Sequence, residues 1–179
     1  MTPLTPEERT VLLESLQGGG EALVEAASDL SPAQWTFRPA PGSWTIGECC
    51  EHVELTERRI LERIATAGRE GLENTAGKDT FVPRAVVSRR RRVSAPPEMV
   101  PTGAYASPAD FIEGFRATRG HALAMAQDEQ LDLRGVCALH FALAELDGYQ
   151  WLLMTSSHAL RHLEQIKEIL AHPEFPAAD

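Results

Sequence analysis

The sequence predicts an all-α protein built as a four-helix bundle. Three observations carry that expectation. Four helix-opening signals precede long stretches whose apolar residues recur at helical spacing. No stretch alternates with a strand period over a useful length, and no internal repeat is present. A chain of 179 residues with 43% hydrophobic content suits one domain, 1–179, around a single core.

The first helix opens at Thr5-Pro6-Glu7-Glu8, where Thr5 can cap, Pro6 suits the first helical position and Glu8 completes a capping box. Val11, Leu12, Leu16, Leu23 and Ala27 then line one side, and Gly18-Gly19-Gly20 is expected to interrupt it. Ser31-Pro32 starts a helical turn through about Trp35, and 39–42 reads as a loop. Thr45-Ile46-Gly47-Glu48 is a second capping box, with Trp44 where a hydrophobic staple would sit. That helix is expected to reach about Ala67, with Val53, Ile60, Leu61 and Ile64 inward. A long basic loop follows at about 69–106, holding Lys78, Arg84, Arg89-Arg90-Arg91-Arg92 and Pro96-Pro97. Ser107-Pro108-Ala109-Asp110 opens the third helix, to about Gln127, with Phe111, Phe115 and Leu123 as core candidates. Within 128–146, the apolar stretch Val136 to Leu146 reads as a turn of helix or a packed loop. Asp147-Gly148-Tyr149-Gln150 caps the last helix, which stops before His172-Pro173.

A net charge of −9 argues against nucleic acid and bilayer surfaces as partners, because both are anionic. No apolar run approaches the length of about 18 residues that a membrane span needs. The opening residues have neither the basic nor the apolar region of a secretion signal, and three cysteines, with Cys49 and Cys50 adjacent, make no disulfide framework. A cytoplasmic protein acting on a small-molecule substrate is expected.

The most specific chemistry lies in His158-Ala159-Leu160-Arg161-His162. Residues four apart share a helix face, with Cβ atoms about 6 Å apart, so two imidazoles can converge on one ion. A third ligand has to come from another helix, and His52 is the leading candidate. Three neutral imidazoles suit zinc, nickel, cobalt or iron and leave positions open for water or substrate, the catalytic pattern. The plainer alternative is chance spacing, since six histidines are present and a lone helical histidine is commonly a surface or satisfied core residue.

Two blocks together resemble the DinB/YfiT-like superfamily of small metal-binding four-helix proteins. Trp44-Thr45-Ile46-Gly47-Glu48 followed by His52 is similar to the family's W-S-x-x-E, three residues, H block; Thr45 replaces a frequent Ser and keeps the capping chemistry. His158-Ala159-Leu160-Arg161-His162-Leu163-Glu164-Gln165-Ile166 is similar to its H-x-x-R-H-x-x-Q-I block. The resemblance implies an up-down-down-up bundle with His52, His158 and His162 on one divalent transition metal (zinc, nickel or iron), and often a homodimer. It further implies a metal-dependent enzyme: a thiol-dependent S-transferase or isomerase using a low-molecular-weight thiol cosubstrate, or a hydrolase acting on a small electrophile. The other reading is a non-catalytic metal- or ligand-binding stress-response protein.

Around this trio, Glu48 is either a capping residue or a carboxylate that orients His52 or acts as a base. Gln165, three residues after His162, is a candidate hydrogen-bond partner for a ligand or a neighbouring helix. Glu51 points about 100° away from His52 and is expected to face solvent or an interface. Arg161 is expected in a salt bridge. Cys49 could face the metal but is expected to pack, with Cys50, as a small hydrophobe. Tyr149 and Trp151 are expected to pack, His140 could reach the site rim, and His121 and His172 are expected at the surface. Residues 78–92 hold six basic residues against one acid. They could draw an anionic substrate to the site mouth, or form a solvated, mobile loop.

Overall fold

Each of the four opening signals caps a long helix in the computed structural model, which describes residues 3–90 and 94–177. The long helices are α1 (Pro6–Ala27), α3 (Ile46–Ala65), α5 (Pro108–Gln127) and α6 (Gly148–Leu170). A single-turn α2 (Pro32–Trp35) lies between the first two, and a short α4 (Phe81–Val87) precedes α5. Thr5, Ser31, Thr45 and Asp147 each accept from the amide three residues on and receive the reciprocal side chain at their own amide, which completes four capping boxes. Ser107 caps α5 through the Asp110 amide.

α1 and α3 each pack against both α5 and α6. Arg9 donates to the Ala126 carbonyl and Arg119 to the Leu16 carbonyl, so α1 and α5 run in opposite directions. Glu54 with Thr118 and Glu57 with Arg119 align α3 and α5 in the same direction. Arg63 lies over the Trp151 ring while His52 meets His158, so α3 and α6 are antiparallel. The order is up-down-down-up, as expected. Apolar side chains form one cluster around Leu12, Leu16, Ile64 and Leu152 and another around Leu23, Trp35, Phe111 and Ile166.

The glycine run does not interrupt α1. Gly19 and Gly20 are buried, and a Cβ on Gly19 would lie 2.8 Å from Ser156 Oγ and 3.3 Å from the Ser156 carbonyl oxygen. The run buys close approach of α1 to α6, at a cost in helix propensity that the packing offsets. Val11, expected on the inner side, is 50% exposed.

Residues 137–147 form neither a helical turn nor a plain loop. Strands β1 (Cys137–His140) and β2 (Ala144–Asp147) pair antiparallel, from Cys137 opposite Asp147 to His140 opposite Ala144. Ala144 adopts φ 60°, the left-handed region that closes the turn. The 69–106 connection is also structured in its described parts. It holds a 3-10 turn at Leu72–Asn74, α4, and a second 3-10 turn at Pro97–Met99. Pro83 falls in the first turn of α4, where no intrahelical donor is lost. Lys78 donates to the Leu143 and Glu145 carbonyls, and Arg134 ties Glu8, Asp79 and Asp147 together. Arg91 and Arg92 lie outside the described residues. No helix among the described residues is long and apolar enough to cross a membrane.

Candidate metal centre

The capping box at Thr45 starts α3 so that His52, nearly two turns in, faces α6. The box at Asp147 does the same for His158 and His162. One nitrogen from each of the three imidazoles lies within 4.8 Å of the others. His158 Nε2 is 3.2 Å from His52 Nε2 and 3.2 Å from His162 Nε2. His52 and His162 are buried, and His158 keeps the largest exposed surface of the three.

The opposite ring nitrogens fix how these rings are presented. His52 Nδ1 lies 2.6 Å from the Met99 carbonyl oxygen, which only accepts, so Nδ1 carries the proton and Nε2 a lone pair. His162 Nδ1 lies 3.1 Å from Gln165 Oε1, which also accepts from Arg89 Nη1 at 3.3 Å; with that accepting oxygen toward the ring the consequence is the same. Burial lowers all three pKa values. His52 falls below its ordinary range despite the Met99 carbonyl, His158 falls well below it through burial and the neighbouring imidazoles, and His162 drops to about 3. All three are neutral at pH 7.

His158 Nε2 faces two lone pairs and can offer at most one N–H, so at least one close nitrogen pair has no proton between its members. A cation resolves that deficit. Nitrogen ligands about 2.05 Å from a tetrahedral zinc stand about 3.3 Å apart, close to the two 3.2 Å separations that His158 Nε2 makes. Thr56, one turn beyond His52 on α3, has a buried hydroxyl oxygen with no hydrogen-bond partner among the described residues.

Trp44 walls the centre, its ring centroid 4.7 Å from that of His52 and 6.0 Å from that of His162. In the sequence Trp44 reads as a staple residue and as the start of the block that leads to His52; its contact with the imidazole rings is visible only in the fold. Met99 carried no signal, because its contribution is a main-chain oxygen.

Glu48 is held in its capping box. One oxygen accepts from the Thr45 amide at 2.8 Å, and Arg38 grips both oxygens at 2.9 and 2.7 Å. Burial raises its pKa, but Arg38 and Thr45 outweigh it and hold the carboxyl below its usual range. Glu51, expected to face solvent or an interface, is instead buried within the chain and accepts from Thr102, Gly103 and Ala104. Arg161 donates to the Val86 and Ser88 carbonyls at the end of α4. Cys49 and Cys50 are buried in the core, and burial pushes the Cys49 thiol up to about 12, so it stays protonated. Tyr149 and Trp151 are buried as expected. His140 folds into the hairpin, its Nδ1 accepting from the Ala142 and Leu143 amides. His121 is exposed, and His172 packs half-buried against Phe37. Within the basic segment Arg84 is exposed, whereas Arg89 is pinned to α6 by Glu168 and Gln165.

Residues 15–166 match the sequence model of the DinB superfamily. Among solved structures, the chain is similar to YfiT from Bacillus subtilis, described as a probable metal-dependent hydrolase with an unusual four-helix bundle topology. That similarity has a TM-score of 0.60 at 13% identity and covers 94% of this chain and 89% of the other. No curated protein matches the chain.

Proposed function

The chain belongs to the DinB superfamily, and from that membership and its converging imidazoles we propose that it is a metal-dependent enzyme acting on a small electrophile. The acceptor in this reading is water, which makes the enzyme a hydrolase, or a low-molecular-weight thiol, which makes it a transferase. The single observation that carries the proposal is the convergence of His52, His158 and His162 through unprotonated nitrogens. The description of YfiT as a probable metal-dependent hydrolase supports the hydrolytic form.

The three imidazoles would hold one divalent transition metal. Bound there, it would supply Lewis acidity, lowering the pKa of a water or thiol and stabilising negative charge on the substrate. The chain contributes the rest. The Met99 carbonyl and Gln165 hold two rings in the tautomer that presents Nε2. The Trp44 ring limits water on one side of the centre, and His158 is the least covered of the three histidines. Arg38 and the Thr45 cap keep Glu48 ionised, with both of its oxygens hydrogen-bonded.

The test is elemental analysis of tag-free protein beside His158→Ala, followed by turnover of electrophile panels with water and with thiols. About one transition metal per chain, lost in the variant, with metal-dependent turnover, is expected. Full metal content in the variant, or none in the wild type after reconstitution with zinc, nickel and iron, overturns the assignment. Metal uptake without turnover would leave a metal-holding module.

A further inference from the structure

We propose that Arg89 is a positioning residue for the metal centre: its guanidinium fixes the Gln165 amide with Oε1 toward His162 and thereby sets the tautomer in which His162 offers Nε2. The inference rests on the proposed function only for the use made of that nitrogen.

A neutral imidazole carries one N–H, and the partner of one nitrogen decides which. The partner at His162 Nδ1 is a primary amide, which has an accepting end and a donating end of nearly the same shape. With Oε1 toward His162, Nδ1 is protonated and Nε2 keeps its lone pair. With the amide turned over, its NH2 would donate to Nδ1, and the ring proton would move to Nε2. That N–H would then point between the three converging nitrogens and occupy the place of a cation. Gln165 alone does not choose between the two states.

Arg89 makes the choice. Its Nη1 lies 3.3 Å from the same Oε1 that His162 meets at 3.1 Å. A guanidinium donates and never accepts, so it tolerates Oε1 there and opposes the NH2 group. Arg89 cannot easily swing aside, because Glu168 holds Nε at 3.0 Å and Nη2 at 2.6 Å in a forked pair. The backbone just before it is held as well, since Arg161 donates to the Val86 and Ser88 carbonyls. The Arg89–Glu168 pair reaches solvent, with side chains 30% and 64% accessible, so its contribution to stability is small and its role is orientation. A residue from the basic connection therefore acts on a candidate metal ligand through two hydrogen bonds.

The experiment is long-range proton–nitrogen NMR on histidine-labelled, metal-free protein at neutral pH, with wild type, Arg89→Lys and Arg89→Gln compared. Lys is also donor-only, whereas Gln can present an acceptor. Wild type and Arg89→Lys are expected to show His162 protonated at Nδ1, and Arg89→Gln a large Nε2-protonated population. Metal affinity should fall about tenfold in Arg89→Gln, the size of loss that outer partners of metal ligands bring. Identical tautomer populations in wild type and Arg89→Gln would overturn the inference. In a Gln165→Glu background both partner oxygens accept, so Arg89→Gln should leave the tautomer unchanged. A persisting shift there would overturn the route through the amide. Because the tautomer is read without metal, absence of metal binding in the wild type would defeat the proposed function and leave this result standing.

Discussion

Thr102 donates both its backbone N–H and its hydroxyl to a single oxygen of Glu51, at 2.7 and 2.9 Å. The Gly103 and Ala104 amides take the other oxygen, at 2.7 and 2.9 Å. Successive amides closing on one anion form a nest, here with a buried side-chain carboxylate as the guest. The nest ties the connection to α3 beside His52 and holds Met99, three residues earlier, where its carbonyl meets the imidazole. Glu51→Gln preserves the shape and removes the charge. It should cost about 1–3 kcal/mol. The check is a urea midpoint that moves at unchanged slope. A loss under about 0.5 kcal/mol, typical of surface sites, would contradict the buried nest.

Two neighbouring glycines should respond with opposite signs. A Cβ on Gly19 meets Ser156 Oγ at 2.8 Å, whereas one on Gly18 meets nothing within 4 Å. Gly19→Ala should destabilise by about 1–3 kcal/mol through overpacking. Gly18→Ala should stabilise by up to about 1 kcal/mol through helix propensity. Thermal melts of the two variants decide it, and shifts of the same sign would mean that α1 and α6 are not held this closely.

The hairpin should loosen in mild acid. His140 Nδ1 accepts from the Ala142 and Leu143 amides, so protonation of that nitrogen breaks both bonds. Burial first, then Arg63, lowers its pKa from 6.5 to about 4. The unfolded chain therefore takes up the proton at higher pH than the folded one. The stability this group contributes is complete above about 6.5 and is lost as pH falls from there through about 4. Melting temperature should fall more steeply over that window in the wild type than in His140→Gln. Equal slopes would assign the acid sensitivity elsewhere.

Metal removal should lower stability through linkage. With free metal about 100-fold above its dissociation constant, binding adds about 2.7 kcal/mol to unfolding. A chelator should therefore lower the melting temperature of the wild type and leave that of His158→Ala unchanged. A wild-type melt indifferent to chelator would show that the imidazoles are held without a cation.

What the sequence made legible was local. A cap is a short-range event, so Thr5 with Glu8, Thr45 with Glu48 and Asp147 with Gln150 announced three long helices, and the spacing of His158 and His162 announced a shared face. What stayed hidden depends on partners far along the chain. Glu51 reads as outward from its own helix because the amides that bury it are about 50 residues away. Gly18 to Gly20 read as a break because propensity is visible in sequence and the approach of Ser156 is not. The hairpin escaped because four-residue strands give too few alternations to register, and its turn uses Ala144 rather than a glycine at positive φ. Arg89 was indistinguishable from its neighbours in a run of like charges; only Glu168 and Gln165, on α6, single it out.

The two oriented imidazoles differ in how they withstand genetic drift. His52 takes its orientation from a main-chain oxygen at position 99, and every amino acid supplies one. Any residue that preserves the local turn can stand there. His162 depends on Gln165, and through it on Arg89 and Glu168, each erasable by a single codon change. Loss or retuning of the centre during divergence should therefore begin at the His162 side, and a library aimed at changing metal preference has its natural entry at positions 89, 165 and 168.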